Sequence, residues 1–68
     1  MTTQTVTVTG MTCGHCASSV REEVGGIAGV HAVDVDLATG VVTISSDNRL
    51  DPDAISGAVA EAGYAVAS

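Results

Sequence analysis

Apolar residues along this 68-residue chain switch between two spacings, a period of two and the wider spacing of a helix. β-Branched residues at every second position are typical of half-buried strands, and apolar residues along one helical face are typical of packed helices. In chain order, the predicted elements are a strand over 4–9, a helix from 16 to 24 or 27, strands over 31–37 and 41–46, a helix that begins at 52 and ends at 63, and a strand over 64–67. No linker or repeat interrupts this pattern, so we expect one domain over residues 1–68.

Local signals at the turns and helix starts define how these elements connect. Residues 38–40 form a short glycine-containing turn, which makes the second and third strands an antiparallel hairpin. Asp51, Pro52 and Asp53 mark a helix start, as N-cap, first helical residue and first-turn carboxylate. The order β-α-β-β-α-β is the split pattern of a ferredoxin-like sandwich. We therefore predict an α+β fold in which two helices cover one face of a four-stranded antiparallel sheet.

The same spacing predicts a core of small aliphatic side chains. The chain has no Trp or Phe and only one Tyr, so valine, alanine, isoleucine and leucine must fill the interior. The side chains predicted to face inward are those of Val6, Val8, Ala17, Val20, Val24, Ile27, Val33, Val35, Leu37, Val42, Ile44, Ile55, Val59 and Ala62. Because a short chain buries a small fraction of its surface, the stability margin is expected to be thin.

Residues 10–16, with the sequence Gly-Met-Thr-Cys-Gly-His-Cys, concentrate the potential metal ligands of the chain. They contain both cysteines, one of the two histidines and one of the two methionines. A thiol binds metal once its proton is lost, and Cys16 falls at the start of the first helix, where free N–H groups favour negative charge. The two residues between Cys13 and Cys16 let both sulfurs converge on one ion. The predicted topology brings Tyr64 to the same end of the sheet.

This set of donors favours a soft metal ion with few ligands. A structural Zn²⁺ site needs four protein ligands, and His31 is expected at the opposite end of the sheet. Hard cations prefer oxygen ligands, whereas thiolates at low coordination number favour Cu(I). Ag(I) and Hg(II) are expected to bind for the same reason. An open site with two ligands also releases its ion to an incoming pair of thiols, as a carrier requires.

Charge and hydropathy exclude several classes of function. The formal charge is −6, with Arg21 and Arg49 as the only strong cations, which argues against nucleic acids and anionic membranes as partners. No apolar run reaches the length of a secretory signal or the ~20 residues of a membrane span, so we expect a cytoplasmic protein without membrane insertion. No carboxylate pairs with a histidine in a way that indicates acid–base catalysis, so a binding protein is favoured over an enzyme.

The motif at residues 10–16, in this order of elements, resembles the heavy-metal-associated domain family. It is most similar to the small bacterial copper chaperones that deliver Cu(I) to copper-transporting P-type ATPases. The resemblance implies that Cys13 and Cys16 bind Cu(I) and pass it by ligand exchange to a similar domain of the ATPase. It also implies a monomer without metal and, in some members, a copper-bridged dimer. A copper-responsive repressor is an alternative recipient, and mercury-binding relatives share the motif.

Three residues near the cysteines are predicted to support the site. Met11 is expected to anchor the loop by packing into the core, as the corresponding methionine of the family does, and not to bind metal. His15 has two interpretations, namely tuning of the thiols and of access to them, or simple exposure to solvent. Tyr64 is expected to pack near the cysteines as a lid that limits solvent, the alternative being an aromatic residue at the edge of the core.

Two other classes of protein use a similar pair of cysteines. The same fold occurs as an excised N-terminal domain of copper ATPases, although the Met1 start and Ser68 end, without linker remnants, favour a free-standing protein. A thiol–disulfide oxidoreductase would also use Cys13 and Cys16. That class is disfavoured because the chain is short for a thioredoxin-like fold. Its only proline, Pro52, begins a helix instead of preceding a strand near the cysteines.

Overall fold

Within residues 1–12 and 14–67, which the computed structural model describes, four strands and two helices follow one another in the predicted order. The strands are β1 (Thr2–Thr9), β2 (Val30–Val35), β3 (Val41–Ser46) and β4 (Ala65–Val66), and the helices are α1 (Gly14–Gly25) and α2 (Pro52–Glu61). The predicted α+β class is confirmed, and predictions that concern Cys13 lie outside the described residues. Neither of the two helices is long and apolar enough to cross a membrane.

The strands form one antiparallel sheet in the order β2-β3-β1-β4. Thr7 of β1 lies opposite Val41 of β3 on one side, and Val8 lies opposite Val66 of β4 on the other. Because β4 runs antiparallel to β1, the segment before β4 meets the segment after β1. The loop with the cysteine motif therefore shares one end of the sheet with Tyr64.

Both helices pack on the same face of the sheet through a core of aliphatic side chains. The cluster of buried residues comes from β1, β3 and the two helices and consists of Val8, Val20, Val24, Val42, Ile44, Ile55 and Val59. Five further predicted residues are partly buried and pack against this cluster, namely Val6, Ile27, Val33, Val35 and Ala62. Ala17 is also buried. The predicted set did not include Val30, Leu50 and Val66, which also pack against the cluster. The residues that it did include are buried or partly buried, with one exception.

That exception is Leu37, which is 40% exposed, so the prediction that it faces the core is wrong. β2 ends at Val35, and Asp36 begins a turn. The Asp36 carboxylate accepts a hydrogen bond from the Ala38 N–H at 2.9 Å, and its carbonyl accepts one from the Gly40 N–H at 2.8 Å. These bonds turn the chain just before Leu37, because an aspartate side chain can bond the backbone two residues ahead. The alternation therefore stops before Leu37.

The start of α2 follows the predicted capping and is also fixed to the sheet. The Asp51 carboxylate accepts a hydrogen bond from the Asp53 N–H at 2.9 Å, and Pro52 begins the helix. From β1, the side-chain amide of Gln4 donates to the Leu50 carbonyl at 3.2 Å and accepts from the Leu50 N–H at 2.6 Å. These two bonds hold the segment that enters α2 against the sheet.

Candidate metal centre

The cysteine motif leaves the sheet at the end of β1, and its first residue lies against Tyr64. Gly10 has a φ of +90°, a backbone conformation that residues with a Cβ rarely adopt. A Cβ built on Gly10 would lie 3.3 Å from Cδ1 of the Tyr64 ring. The pairing of Thr9 with Ala65 explains this proximity, because it brings the residue after β1 beside the residue before β4. The structure thus places Tyr64 at the motif end of the sheet, and its role as a lid stays a prediction.

Met11 is the residue of the motif that packs against the interior of the protein. Its side chain is partly buried and packs against the core cluster. Methionine is flexible and polarizable, so it fills irregular space at the edge of a core. The position agrees with the predicted anchoring role.

Cys16 is the third residue of α1 and lies at the border between core and solvent. Its side chain is partly buried, and the next residue, Ala17, is only 4% exposed. The Thr12 hydroxyl lies 3.9 Å from the Cys16 sulfur, within hydrogen-bond reach of a sulfur atom. Sequence reasoning missed Thr12. No sequence signal marks this contact, because Thr12 lies in the loop before α1, where the side-chain spacing of a helix does not apply.

The first turn of α1 favours negative charge beside the motif. Residues 14–17 include no Asp or Glu. The free N–H groups of this turn and the positive end of the helix dipole are therefore not offset by a carboxylate of the same turn. The start of α1 therefore favours negative charge on the Cys16 sulfur.

His15 lies on the exposed side of the same turn. Its side chain is exposed, and its backbone carbonyl accepts a hydrogen bond from the Ser19 hydroxyl at 3.3 Å. This location agrees with the interpretation of His15 as a surface residue. Tuning of the thiols by the imidazole stays a prediction.

His31, the other histidine, is far from the motif. It is the second residue of β2 and follows Val30. Val30 pairs with Ser46 of β3, and Ser46 also pairs with Thr2, the first residue of β1. At about 3.3 Å per strand residue, Thr2 and Thr9 are roughly 23 Å apart, and His31 lies near the Thr2 end. Its Nε2 is instead 2.5 Å from a carboxylate oxygen of Asp47. Within the described ranges, 1–12 and 14–67, no three His, Cys, Asp or Glu side chains form a group that could hold a metal ion.

The described residues of the motif place the Cys16 sulfur at the border between core and solvent. Met11 packs against the core cluster, and the Tyr64 ring lies against Gly10, the first residue of the motif. Cys16 stands where the loop becomes a helix, and Cys13 belongs to the segment outside the described residues. Such a loop can bind a soft metal ion through sulfur near the surface.

Comparison with known proteins assigns the family. Residues 4–65 match the model of the heavy-metal-associated domain. A solved structure described as a CopZ metallochaperone superposes with a TM-score of 0.89 at 33% identity and covers 96% of this chain and 98% of that one. The copper chaperone CopZ of Bacillus subtilis is 40% identical over 68 residues, which is 98% of this chain and 99% of CopZ. The chain belongs to the heavy-metal-associated domain family.

Two much longer proteins resemble the chain over a short part of their length. A probable copper-exporting P-type ATPase of Archaeoglobus fulgidus is 42% identical over 64 residues, which is 93% of this chain and 8% of the ATPase. A mercuric reductase of Shigella flexneri is 38% identical over 60 residues, which is 88% of this chain and 11% of the reductase. The chain thus spans about a tenth of either protein.

Proposed function

We propose that this protein is a Cu(I) carrier, which binds the ion through Cys13 and Cys16 and catalyses no reaction. The observation that carries the proposal is the similarity to the copper chaperone CopZ of Bacillus subtilis, which extends over nearly the whole of both chains. The position of Cys16 at the start of α1, at the end of the sheet that carries the motif, supports it. Thiolates at low coordination number favour Cu(I), and a site with two sulfurs leaves room for an incoming ligand.

The recipient that we propose is the metal-binding domain of a copper-transporting P-type ATPase, met in the cytoplasm. Support comes from the probable copper-exporting ATPase of Archaeoglobus fulgidus, part of which is 42% identical to this chain. A recipient domain of the same family would present its own thiols on a similar open loop. A copper-responsive repressor is an alternative recipient. We propose a monomer without metal, and a dimer when two copies share one ion through their cysteines.

The proposed transfer of Cu(I) to the recipient is a ligand exchange without electron transfer. A thiol of the recipient loses its proton and binds the ion, and Cys13 or Cys16 leaves the ion and takes up a proton. A second exchange of the same kind completes the transfer, and the copper remains Cu(I). Because Met11 packs into the core and Gly10 lies against Tyr64, we expect the sheet to stay unchanged during the exchange.

Direct transfer can be tested by mixing the copper-loaded protein with the metal-free N-terminal domain of a copper ATPase under anaerobic conditions. The two are separated by anion exchange, and the copper in each is measured. We expect copper in the recipient even when a chelator that captures released copper is present. Carboxymethylation of the recipient cysteines should abolish the transfer. Copper that appears only without the chelator, or only in the chelator, would contradict transfer by ligand exchange.

The similarity to the ATPase also supports a second candidate, in which the chain is the N-terminal metal-binding domain of a copper ATPase. Both candidates bind Cu(I) through the same cysteines, so metal titration does not separate them. An immunoblot of cell extract with an antibody against α1 separates the two candidates. A band near 6.7 kDa supports the carrier, and a membrane-associated band of ATPase size supports the second candidate.

A further inference from the structure

β4 covers only one end of the outer edge of β1. It pairs with Val8 and Thr9, and the Ala67 N–H adds one more bond by donating to the Thr7 carbonyl at 2.7 Å. β1 itself begins at Thr2. Within the residues that the structure describes, no strand pairs with the outer edge of β1 between Thr2 and Thr7. This part of β1 is called the open edge below.

The peptide groups on the open edge belong to Thr3 and Thr5. In an antiparallel ladder, the N–H and C=O of one residue point to the same side, and successive residues point to opposite sides. The Thr7 carbonyl bonds the β4 side, whereas the Val8 N–H donates at 2.8 Å to the Gly40 carbonyl on the β3 side. Counting back by two from Thr7, Thr5 and Thr3 face the open edge. Each offers one donor and one acceptor to a further strand.

A groove of about 320 Å³ adjoins the open edge, between β1 and the first half of α2. Three apolar residues of its lining, Val6, Ile55 and Val66, are buried or partly buried. Three polar residues of the lining, Thr5, Ser56 and Arg49, are exposed. Gln4 bonds both backbone groups of Leu50, so the segment that leads into α2 is fixed to β1. The groove is therefore formed before any partner binds.

An extended peptide segment fits the open edge and the groove at the same time. Running in line with β4, its backbone would pair with Thr3 and Thr5, which is the strand-addition mode of peptide recognition. The residue between these pairs lies opposite Gln4 and points to the helix face of the sheet, because side chains alternate along a strand. An apolar side chain there enters the groove. The groove is at the small end of the ~300–1,000 Å³ range of ligand pockets, which suits one side chain better than a large ligand.

Charge favours a basic segment over an acidic one. Arg49 is the one charged residue that lines the groove. Asp51 and Asp53 are exposed on either side of the lining residue Pro52, so the segment 49–53 carries two carboxylates and one guanidinium. The whole chain carries a formal charge of −6, which attracts cationic partners at long range. We propose that the open edge and the groove bind an extended, basic segment of a partner protein by strand addition. Its apolar residue lies opposite Gln4, and its Lys or Arg lies toward the start of α2.

This site is separate from the metal centre. Gln4 and Thr9 are five residues apart on β1, which at about 3.3 Å per residue is roughly 16 Å. A segment bound at the open edge leaves the cysteine motif accessible. The inference therefore goes beyond the proposed copper function and does not depend on it.

The test is an NMR titration of the metal-free, reduced full chain with the peptide acetyl-Thr-Ile-Thr-Lys-Thr-Lys-amide. We expect the amide signals of Thr3, Thr5 and Val66 to shift and those of α1 to stay in place. The same peptide N-methylated at its first and third residues keeps its charge and side chains but cannot donate to the open edge, so we expect no binding. A version with Glu in place of both Lys residues is expected to bind at least about tenfold more weakly.

A matched pair of protein variants tests the groove. Ser56 and Ala60 are both exposed and one turn apart on α2, and of these two Ser56 lines the groove. Ser56→Trp fills the groove and should weaken peptide binding at least about tenfold, whereas Ala60→Trp should change it less than about twofold. Amide signals of β2 and α1 establish that both variants are folded.

Several results would overturn the proposal. They are equal binding of the N-methylated peptide, equal binding of the Glu peptide, equal behaviour of the two Trp variants, and no shift of the Thr3 and Thr5 signals. Concentration-dependent shifts of the same signals without peptide, together with a dimer in light scattering, would assign the open edge to a second copy of the chain. No metal is present in these experiments, so their failure leaves the copper proposal untouched.

Discussion

Three glycines with similar backbone angles differ in what an added methyl group would meet. Gly29 has a φ of +88° and nothing within 4 Å of a built Cβ. At Gly10, with a φ of +90°, the Cβ would lie 3.3 Å from the Tyr64 ring. At Gly40, with a φ of +77°, the Cβ would lie 2.6 Å from the Val8 carbonyl oxygen. Alanine at each position carries a similar backbone strain, so differences among the three variants isolate the contacts.

The expected losses of unfolding free energy follow from these contacts. A positive φ costs a residue with a Cβ roughly 1–2 kcal/mol, and the reduced freedom of the unfolded chain offsets about 0.4–1 kcal/mol, which leaves about 1 kcal/mol for Gly29→Ala. The Tyr64 ring can move by a few tenths of an ångström, so we expect about 1–2 kcal/mol for Gly10→Ala. A backbone carbonyl yields less easily, and overpacking adds roughly 1–3 kcal/mol, so we expect about 2–4 kcal/mol for Gly40→Ala.

Urea unfolding of the reduced, metal-free variants, followed by circular dichroism, measures these losses if the m-value stays constant. In a domain of this size, 1 kcal/mol corresponds to a shift of roughly 4–8 °C in Tm. Tyr64 is the only aromatic residue, so tyrosine fluorescence reports separately on Gly10→Ala. A Gly40→Ala variant no less stable than Gly29→Ala would refute the close approach of the 36–40 turn to β1. Unchanged fluorescence in Gly10→Ala, with a loss equal to that of Gly29→Ala, would refute the contact with Tyr64.

Three further predictions concern the hydrogen bonds between Gln4 and Leu50, the N-cap of α2 and the charge of the chain. Gln4→Ala leaves both backbone groups of Leu50 without their partner and should lower the unfolding free energy by about 1–3 kcal/mol, whereas the exposed control Thr3→Ala should stay within about 0.5 kcal/mol in the same urea assay. Asp51→Ala removes the acceptor of the Asp53 N–H and should cost about 0.5–2 kcal/mol, and Asp51→Ser should recover most of it; equal losses would contradict capping. Copper transfer to a recipient with a basic face should slow between about 0.01 and 1 M salt, as the Debye length falls from about 30 to 3 Å, and a rate independent of salt would exclude steering by charge.

The order of elements and the core can be predicted from the sequence, because burial of one face imposes a pattern on neighbouring residues. Val20 and Val24 lie one turn apart on α1, Val42 and Ile44 lie two residues apart on β3, and all four are fully buried. The Asp51 cap is equally local, since the bond it makes reaches only two residues ahead. Local spacing is therefore sufficient for these features.

Contacts that join distant parts of the chain cannot be predicted in this way. Gln4 and Leu50 are 46 residues apart, and no local pattern marks their hydrogen bonds. The groove depends on these hydrogen bonds and on the shortness of β4, which pairs only with the Val8–Thr9 end of β1. Leu37 continues the period of its strand, but a side-chain bond of Asp36 ends the strand first. At the candidate site, the spacing of the cysteines is visible in the sequence, whereas the Thr12 hydroxyl becomes apparent only in the folded loop.

The proposed function depends on the binding of Cu(I) by Cys13 and Cys16. An anaerobic titration of the reduced protein with Cu(I) against a strong chromophoric chelator tests it directly, with Zn²⁺ run in parallel. We predict that the protein competes for Cu(I) and binds Zn²⁺ weakly, that Cys13→Ser and Cys16→Ser each lose the competition, and that Met11→Leu and His31→Ala retain it. Cu(I) retention in both serine variants, or failure of the unaltered protein to compete while its thiols cycle readily with a disulfide substrate, would contradict the proposed function.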